Sequence, residues 1–91
     1  MFKIGVRRVV GDSMTPKLKH NDIILVKKTR KYRTGDIVGL EFNDKILIKR
    51  ISRINDSKYY VLGDNQVDSL DSRKFGWIEF NQLVFKFVCK I

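Results

Sequence analysis

The sequence has 91 residues, of which 43% are hydrophobic and 11% aromatic, and this composition excludes an intrinsically disordered chain. Nineteen Lys and Arg against ten Asp and Glu give a formal net charge of +9, which favours an acidic partner, nucleic acid or an anionic membrane surface. No run approaches the roughly 20 apolar residues of a membrane-spanning helix, and the N-terminus lacks the apolar core of a signal peptide. We therefore expect one cytoplasmic domain, residues 1–91, without an integral membrane segment.

Cysteine and histidine are each present once. Cys89 lies in an alternating strand pattern near the C-terminus, so an internal disulfide is excluded and no cluster of metal ligands is predicted. His20 stands beside Asn21 and Asp22, where a turn residue is expected rather than a ligand or a base. We accordingly expect neither a metal nor another cofactor.

The first third of the chain predicts two strands separated by a turn. Residues 2–10 alternate with the period of a half-buried strand, and residues 11–16 form a cluster of strand breakers in which Pro16 opens a short helical turn. Residues 22–28 are apolar on both faces, as in a strand buried within a sheet. The buried face of the first strand is expected to carry Phe2, Ile4, Val6 and Val10.

The remainder of the chain predicts further short strands. Residues 37–42 and 46–54 form an antiparallel hairpin, residues 59–62 continue a meander, and residues 77–91 supply one or two more strands. The cationic segment 27–33 is expected to be a solvated connection, and residues 63–76 are polar and rich in turns. The fold class predicted is mainly β, a small partly closed barrel or folded sheet with one or two short helical turns.

The strand around residues 46–51 carries an amine in an apolar run. Side chains alternate faces along a strand, so Lys49 shares one face with Leu47 and Ile51. Loss of hydration there disfavours the charged amine and lowers its pKa toward the range of a general base. The alternative is a lysine whose stem lies on apolar surface while its ammonium reaches water.

Ser13 follows the first strand on a turn that contains Gly11. Such a turn can present a hydroxyl outward beside converging backbone N–H groups, which suits a nucleophile with an oxyanion site. Gly-Asp-Ser is also ordinary turn chemistry, and this alternative stays open. Since His20 is the only histidine, a Ser-His-Asp triad is excluded and a desolvated lysine is the remaining base.

Four segments in sequence order resemble the motifs of the signal peptidase I family of serine endopeptidases, which shares its fold and its Ser/Lys chemistry with LexA-type self-cleaving repressors. Two of them are Gly11-Asp12-Ser13-Met14-Thr15-Pro16-Lys17-Leu18, which resembles the nucleophile motif, and Ile48-Lys49-Arg50-Ile51, which resembles the lysine motif. The others are Thr34-Gly35-Asp36-Ile37-Val38 and the long, specific segment Gly63-Asp64-Asn65-Gln66-Val67-Asp68-Ser69-Leu70-Asp71-Ser72-Arg73-Lys74-Phe75-Gly76.

The resemblance implies a fold of the LexA/signal peptidase type and a role for each matched residue. Ser13 corresponds to the nucleophile and Lys49 to the general base, while Ser69 corresponds to a serine that hydrogen-bonds and orients the lysine. The resemblance further implies that the acidic Asp71 and the basic Arg73 form a pair that supports the site. It also implies that Met14 borders the substrate pocket. The resemblance also implies that substrate pairs as an extended strand with residues 37–42 and with the segment before Ser13.

Two departures from the family pattern bear on the site. Lys17 stands where the family usually has threonine. Gly11 stands where some members supply a hydroxyl to the oxyanion hole, so we expect the backbone N–H of Ser13, alone or with that of one neighbour, to serve instead.

We also expect no membrane anchor before Ser13 and no loop insertion after the lysine motif, in contrast to many signal peptidases. In this the sequence resembles the small nickel-type superoxide dismutase maturation proteases. We therefore expect a serine endopeptidase that removes an N-terminal extension from a precursor protein, bound as an extended peptide. The alternatives are a general signal peptidase acting at the membrane and a non-catalytic basic β-domain that binds nucleic acid, although no nucleic-acid partner is expected because no recognised aromatic motif accompanies the charge.

Overall fold

The computed structural model describes residues 3–67 and 69–91. Seven antiparallel strands account for most of the regular structure: β1 (Ile4–Arg8), β2 (Ile23–Lys27), β3 (Ile37–Phe42), β4 (Lys45–Asn55), β5 (Lys58–Leu62), β6 (Ile78–Glu79) and β7 (Leu83–Lys90). Two short helical turns follow β5 and β6 respectively, namely α1 (Ser72–Phe75) and a 3-10 turn (Phe80–Gln82). Among the described residues, no helix is both long enough and apolar enough to cross a membrane.

The strands form one open sheet in the order β1-β2-β7-β3-β4-β5-β6. Strands β3 to β6 are a meander, whereas β7 returns to the middle of the sheet and pairs with both β2 and β3. The predicted fold class is confirmed, since the molecule is a mainly β, unclosed sheet with two short helical turns.

Two tight turns set the register of the meander. Asn43 and Asp44 have φ values of 50° and 63° and join β3 to β4, and Asp56 and Ser57, at 50° and 63°, join β4 to β5. Two consecutive left-handed residues give a turn whose twist matches that of the flanking strands. The predicted antiparallel hairpin through Asn43 is therefore confirmed, and it places Lys49 opposite Val38.

The apolar side chains form two clusters. The first contains residues of the segment from Val9 through the Ser13 turn, of β2, of the start of β3 and of β7: Val9, Met14, Leu18, Ile24, Val26, Ile37 and Phe85. The second lies among the meander strands: Val38, Leu40, Ile51, Tyr59, Val61 and Ile78. Gly39 in β3 has no side chain, and a Cβ there would enter the ring of Phe85. This close approach lets the ring lie against the middle of the sheet.

The buried face predicted for β1 is wrong. Ile4, Val6 and Val10 are 65%, 54% and 77% exposed, while Val9 is 2% exposed and belongs to the first cluster. Register explains the reversal, because the buried residues Ile24 and Val26 of β2 lie opposite Arg7 and Gly5, which puts the other face of β1 inward. Alternation separates two faces but does not say which one the core covers. Phe2, assigned to the same face, lies outside the described residues.

Candidate active site

The structure brings Ser13 and Lys49 together. Lys49 Nζ donates a hydrogen bond to Ser13 Oγ at 2.9 Å, across 36 positions in the sequence. Ser13 is half-buried on the turn after β1, and Lys49 is 3% exposed within β4. A hydroxyl and an amine at this distance have the geometry of a nucleophile and its base.

Lys49 is buried because β4 is an interior strand with an apolar face. Ile51, two residues further along the same face, is 1% exposed, and Leu47 is half-buried against the second cluster. The predicted aliphatic neighbours therefore flank the amine. Removal of water from an ammonium group disfavours its charged form, which is the state that cannot accept a proton.

The turn that carries Ser13 is held by hydrogen bonds at both ends. Gly11, in a left-handed conformation with φ of 86°, donates its N–H to His20 Nδ1 at 2.8 Å. Leu18 N–H donates to Met14 C=O at 2.9 Å, which closes one turn where the sequence predicted a helical segment. Since the Gly11 N–H is engaged, it is not an oxyanion donor. Within residues 3–67 and 69–91 the Ser13 N–H has no acceptor, so it is available for that role.

A second loop clamps the Ser13 turn from the other half of the molecule. Asn65 N–H donates to the Ser13 carbonyl oxygen at 2.8 Å, and Asn65 Nδ2 donates to the Asp12 carbonyl oxygen at 3.2 Å. The sequence analysis assigned no role to Asn65. Its place in Gly63-Asp64-Asn65, the start of the longest matched motif, was the available signal.

Met14 is not at the surface of the site. It is 1% exposed, packs in the first cluster, and its Sδ accepts the N–H of Asp64 at 3.5 Å. The prediction that Met14 borders the substrate pocket is therefore wrong. The turn directs this side chain inward while Ser13 points toward Lys49, so neighbouring residues anchor the turn and present the hydroxyl.

An ion pair that the sequence analysis missed lies beside the lysine. Arg50 Nε and Nη2 each donate to the Asp64 carboxylate at 2.9 Å, and Arg50 Nη1 donates to the Gly35 carbonyl oxygen at 2.9 Å. The hydrogen bond with Asp64 raises the pKa of Arg50. This pair ties β4, next to Lys49, to the loop whose Asn65 holds the Ser13 carbonyl. Arg50 and Asp64 both belong to matched motifs, and that was the signal for the pair.

The predicted pair of Asp71 and Arg73 is formed in the structure. Asp71 is fully buried and caps α1, accepting from Arg73 N–H at 3.1 Å, from Arg73 Nε at 3.0 Å and from Gly63 N–H at 2.9 Å. Burial alone raises the pKa of Asp71, but the hydrogen bonds from Arg73 and Gly63 outweigh it and lower the pKa to about 2. The pair thereby fixes the position of Gly63 at the base of the loop that reaches Ser13.

Ser69 lies where the loop is most crowded. A Cβ on Gly63 would collide with the Ser69 hydroxyl and would lie 2.8 Å from the Ser13 carbonyl oxygen. Ser69 Oγ is buried and meets no partner at full hydrogen-bond geometry among the residues that the structure describes, but it is near enough to Asp71 to help lower the pKa of that carboxyl. The bond from Ser69 to Lys49 that the resemblance implies is not formed here, so the orienting role of Ser69 stays a prediction.

The Ser13 and Lys49 side chains face a cleft of about 240 Å³ between β1 and β4. Its lining is Arg7, Arg8, Val10, Ser13, Ile46, Leu47, Ile48, Lys49 and Phe85. Two strand edges meet this cleft. β1 is the first strand of the sheet and pairs on one side only, and β4 pairs with β5 only from Arg50 onward, which leaves one edge of residues 45–49 open.

This arrangement corrects the predicted substrate strand. β3, residues Ile37–Phe42, is paired with β4 along one edge and with β7 along the other. A strand whose two edges are occupied has no backbone groups left for an added peptide. The other predicted pairing segment, the residues before Ser13, does line the cleft through Arg8 and Val10.

Comparison with known proteins gives two matches. The Peptidase S24-like family model matches residues 3–78. Signal peptidase I from Bacillus caldolyticus is 34% identical over 96 aligned residues, which cover 89% of this chain and 50% of that protein. The chain thus spans half the length of this relative. The resemblance to the signal peptidase I family, inferred from four motifs, is confirmed by these matches.

Proposed function

Since the chain belongs to the Peptidase S24-like family, we propose that it is a serine endopeptidase with Ser13 as nucleophile and Lys49 as general base. The observation that carries the proposal is the 2.9 Å hydrogen bond between Lys49 Nζ and Ser13 Oγ, with the amine 3% exposed. No step of this chemistry requires a cofactor.

In the proposed reaction, Ser13 Oγ attacks the carbonyl carbon of the scissile peptide bond while neutral Lys49 Nζ takes the hydroxyl proton. The resulting ammonium gives this proton to the departing amine, and an acyl-enzyme ester forms on Ser13. Water then attacks the ester, its proton passing to Lys49 Nζ and from there back to Ser13 Oγ. The Ser13 backbone N–H, which has no acceptor among residues 3–67 and 69–91, supports the oxyanion in both steps.

Substrate binding is best supported by the two open strand edges. An extended peptide between β1 and residues 45–49 of β4 would pair with backbone groups that the sheet leaves unused. The peptide would pass over Lys49 and the Ser13 turn, which line the same cleft. This position replaces the pairing with β3.

The proposed substrate is a precursor protein with a flexible N-terminal extension. Among such precursors, we favour the precursor of a nickel-type superoxide dismutase. Support comes from the resemblance to the small maturation proteases of that enzyme and from the positive charge, which favours an acidic partner. No residue of the site is specific for nickel. The alternative of a general signal peptidase draws on the 34% identity to signal peptidase I.

The test is to incubate the purified protein with that precursor and, separately, with a membrane-type signal peptide substrate. New N-termini are identified by mass spectrometry, and a Ser13→Ala variant serves as control. We expect one new N-terminus on the precursor with the wild type and none with the variant. Efficient cleavage of the signal peptide substrate without cleavage of the precursor would transfer the assignment to a general signal peptidase.

A further inference from the structure

The cleft that contains Ser13 and Lys49 is the first of three clefts in a row. A second cleft, of about 250 Å³, shares Arg7 and Phe85 with it. A third, of about 760 Å³, shares Lys3, Lys28 and Val84 with the second. The three clefts therefore lie next to one another, and we call them together the cationic track.

Every charged side chain that lines the cationic track is positive. The cations are Lys3, Arg7, Arg8, Lys27, Lys28 and Arg30, while Lys49, which lines the first cleft, acts as a neutral amine in the proposed reaction. None of the acidic residues in the described part of the chain lines any of the three clefts. The track therefore attracts a negatively charged ligand along its whole length.

The far end of the track is the most open and the least neutralised. Lys3, Lys28 and Arg30 are exposed, and none of them forms an ion pair within residues 3–67 and 69–91. By contrast, Lys86 and Lys90 on β7 are paired with Asp36 and Asp22. The far end of the track thus presents three cations that no ion pair among the described residues neutralises.

The dimensions fit a polypeptide chain in extended conformation. β1 runs from the third cleft, at Lys3, to the first cleft, at Arg8, and five residues at about 3.3 Å each span about 16 Å. Phe80, Leu83 and Val84 add apolar surface at the far end. A peptide seated on the dyad therefore reaches Lys28 and Arg30 about five residues from the scissile bond.

We infer that the cationic track binds an acidic segment of the polypeptide substrate, at a distance of about five residues from the bond that is cut. This inference rests on the proposed function. A peptide is favoured over nucleic acid because the track includes the cleft lined by Ser13 and Lys49, whose size suits a peptide. In addition, Tyr32 and Phe80 are engaged edge to face at 6.0 Å, and Tyr32 with Tyr59 at 6.1 Å, rather than arranged as an open stacking platform.

The test uses a Ser13→Ala protein, which binds without cutting, and fluorescence anisotropy. The probes are a labelled peptide of about ten residues rich in glutamate, the same peptide with glutamine in place of glutamate, and a single-stranded DNA oligonucleotide. Lys28→Gln combined with Arg30→Gln removes two charges from the track. Lys58→Gln combined with Lys74→Gln removes two exposed charges elsewhere and is the matched control.

We expect the glutamate peptide to bind more tightly than the glutamine peptide, and its affinity to fall about two- to fivefold for each track cation removed. The control pair should leave binding within about twofold. If both double variants lost the same affinity for the glutamate peptide, binding would depend on the overall positive charge and not on the track, and the inference would be overturned. Tighter binding of DNA that depends on Lys28 and Arg30 would also overturn it, because it would favour a nucleic-acid surface.

A parallel measurement of cleavage separates this inference from the proposed function. With Ser13 intact, glutamates placed about five residues from the cut should raise kcat/KM through KM, and the Lys28→Gln, Arg30→Gln variant should remove that gain. If acidic peptides bind through the track but no peptide is ever cut, the peptidase assignment fails while the track stands. If peptides are cut with no preference for acidic residues and no acidic binding, the track fails while the peptidase assignment stands.

Discussion

The backbone N–H of Asn65 lies 2.8 Å from the carbonyl oxygen of Ser13, so the loop after β5 holds the nucleophile turn directly. The same loop begins at Gly63, whose N–H is bound by Asp71, and continues through Asp64, which binds Arg50 beside the lysine. Three hydrogen-bonded connections therefore fix Ser13 relative to Lys49. The distance between Ser13 Oγ and Lys49 Nζ is therefore set by this loop as well as by the strands.

Ser13→Ala should abolish peptide cleavage and leave the fold intact. Ser13 is half-buried on a turn, and within residues 3–67 and 69–91 its hydroxyl bonds only to the lysine amine that it is proposed to use. The measurements are turnover of a cleaved peptide and the melting temperature. A variant that unfolds, instead of folding without activity, would favour a purely structural turn serine.

Lys49→Arg should be inactive although the positive charge is kept, because a guanidinium does not lose its proton in a protein and cannot act as a base. In the wild type, the protonated amine cannot accept the Ser13 proton. The rate should therefore rise with pH as the amine deprotonates, and fall as pH is lowered. A pH–rate profile checks this, and near-normal cleavage by Lys49→Arg would exclude the dyad.

Asp71→Ala should lower the melting temperature and the activity together. The carboxylate is fully buried, caps α1 and accepts the Gly63 N–H, so its loss removes a cap and leaves a buried N–H without its acceptor, at a cost of about 2–4 kcal/mol. The pKa of Asp71 is lowered from 3.8 to about 2, so its stabilising contribution is present above pH about 4 and is lost as pH falls toward 2.

Acid unfolding of wild type and variant, followed by circular dichroism, measures this contribution. The difference in stability between the two should shrink over that acidic range. A difference that stays constant between pH about 4 and pH about 2 would show that the Asp71 carboxylate does not titrate as its contacts require.

Ser69→Ala separates an orienting role from a packing role. Because Ser69 Oγ is buried and meets no partner at full hydrogen-bond geometry among the described residues, its removal should change the free energy of unfolding by no more than about 0.5 kcal/mol. If Ser69 orients Lys49 when substrate is bound, kcat should nevertheless fall. Unchanged kcat at unchanged stability would remove Ser69 from the site.

Asp64→Asn should weaken cleavage more than stability. The substitution keeps the side-chain volume but removes the negative charge that holds Arg50 through two hydrogen bonds. The ion pair is partly exposed, since 37% of the Arg50 side chain and 20% of the Asp64 side chain are accessible to solvent. Surface pairs of this kind contribute about 1 kcal/mol or less. The link from β4 to the Ser13 turn should loosen, with kcat reduced and the melting temperature nearly kept. Wild-type kcat would show that the pair does not position the dyad.

The mainly β fold and the contact between Ser13 and Lys49 were predictable from the sequence for different reasons. Strands and turns followed from alternation and from Asn43-Asp44, which are local signals. The contact between Ser13 and Lys49 was predicted from the matched motifs, because no local sequence pattern relates a serine to a lysine 36 positions away. The sequence did not predict which side of β1 faces the core, or that Met14 points into the core. Pairing register decides the first and turn geometry the second, and the alternation of apolar residues specifies neither.

The missed contacts share one cause. Asn65 acts through its backbone N–H, and Arg50 with Asp64 joins two segments that only the folded sheet brings together. The pairing of β3 with β7 was also unpredictable from local pattern, since β7 reaches back across the whole meander. That pairing is what removes β3 as a binding edge.

The position of β7 between β2 and β3 has a consequence for biosynthesis. The half-sheet of β1 and β2, which delivers Ser13, is joined in the sheet to the meander that carries Lys49 through β7, which pairs with both β2 and β3. During translation the nucleophile and its base are both made long before β7 emerges. The nascent chain is therefore expected to lack peptidase activity until β7 has emerged and paired with β2 and β3.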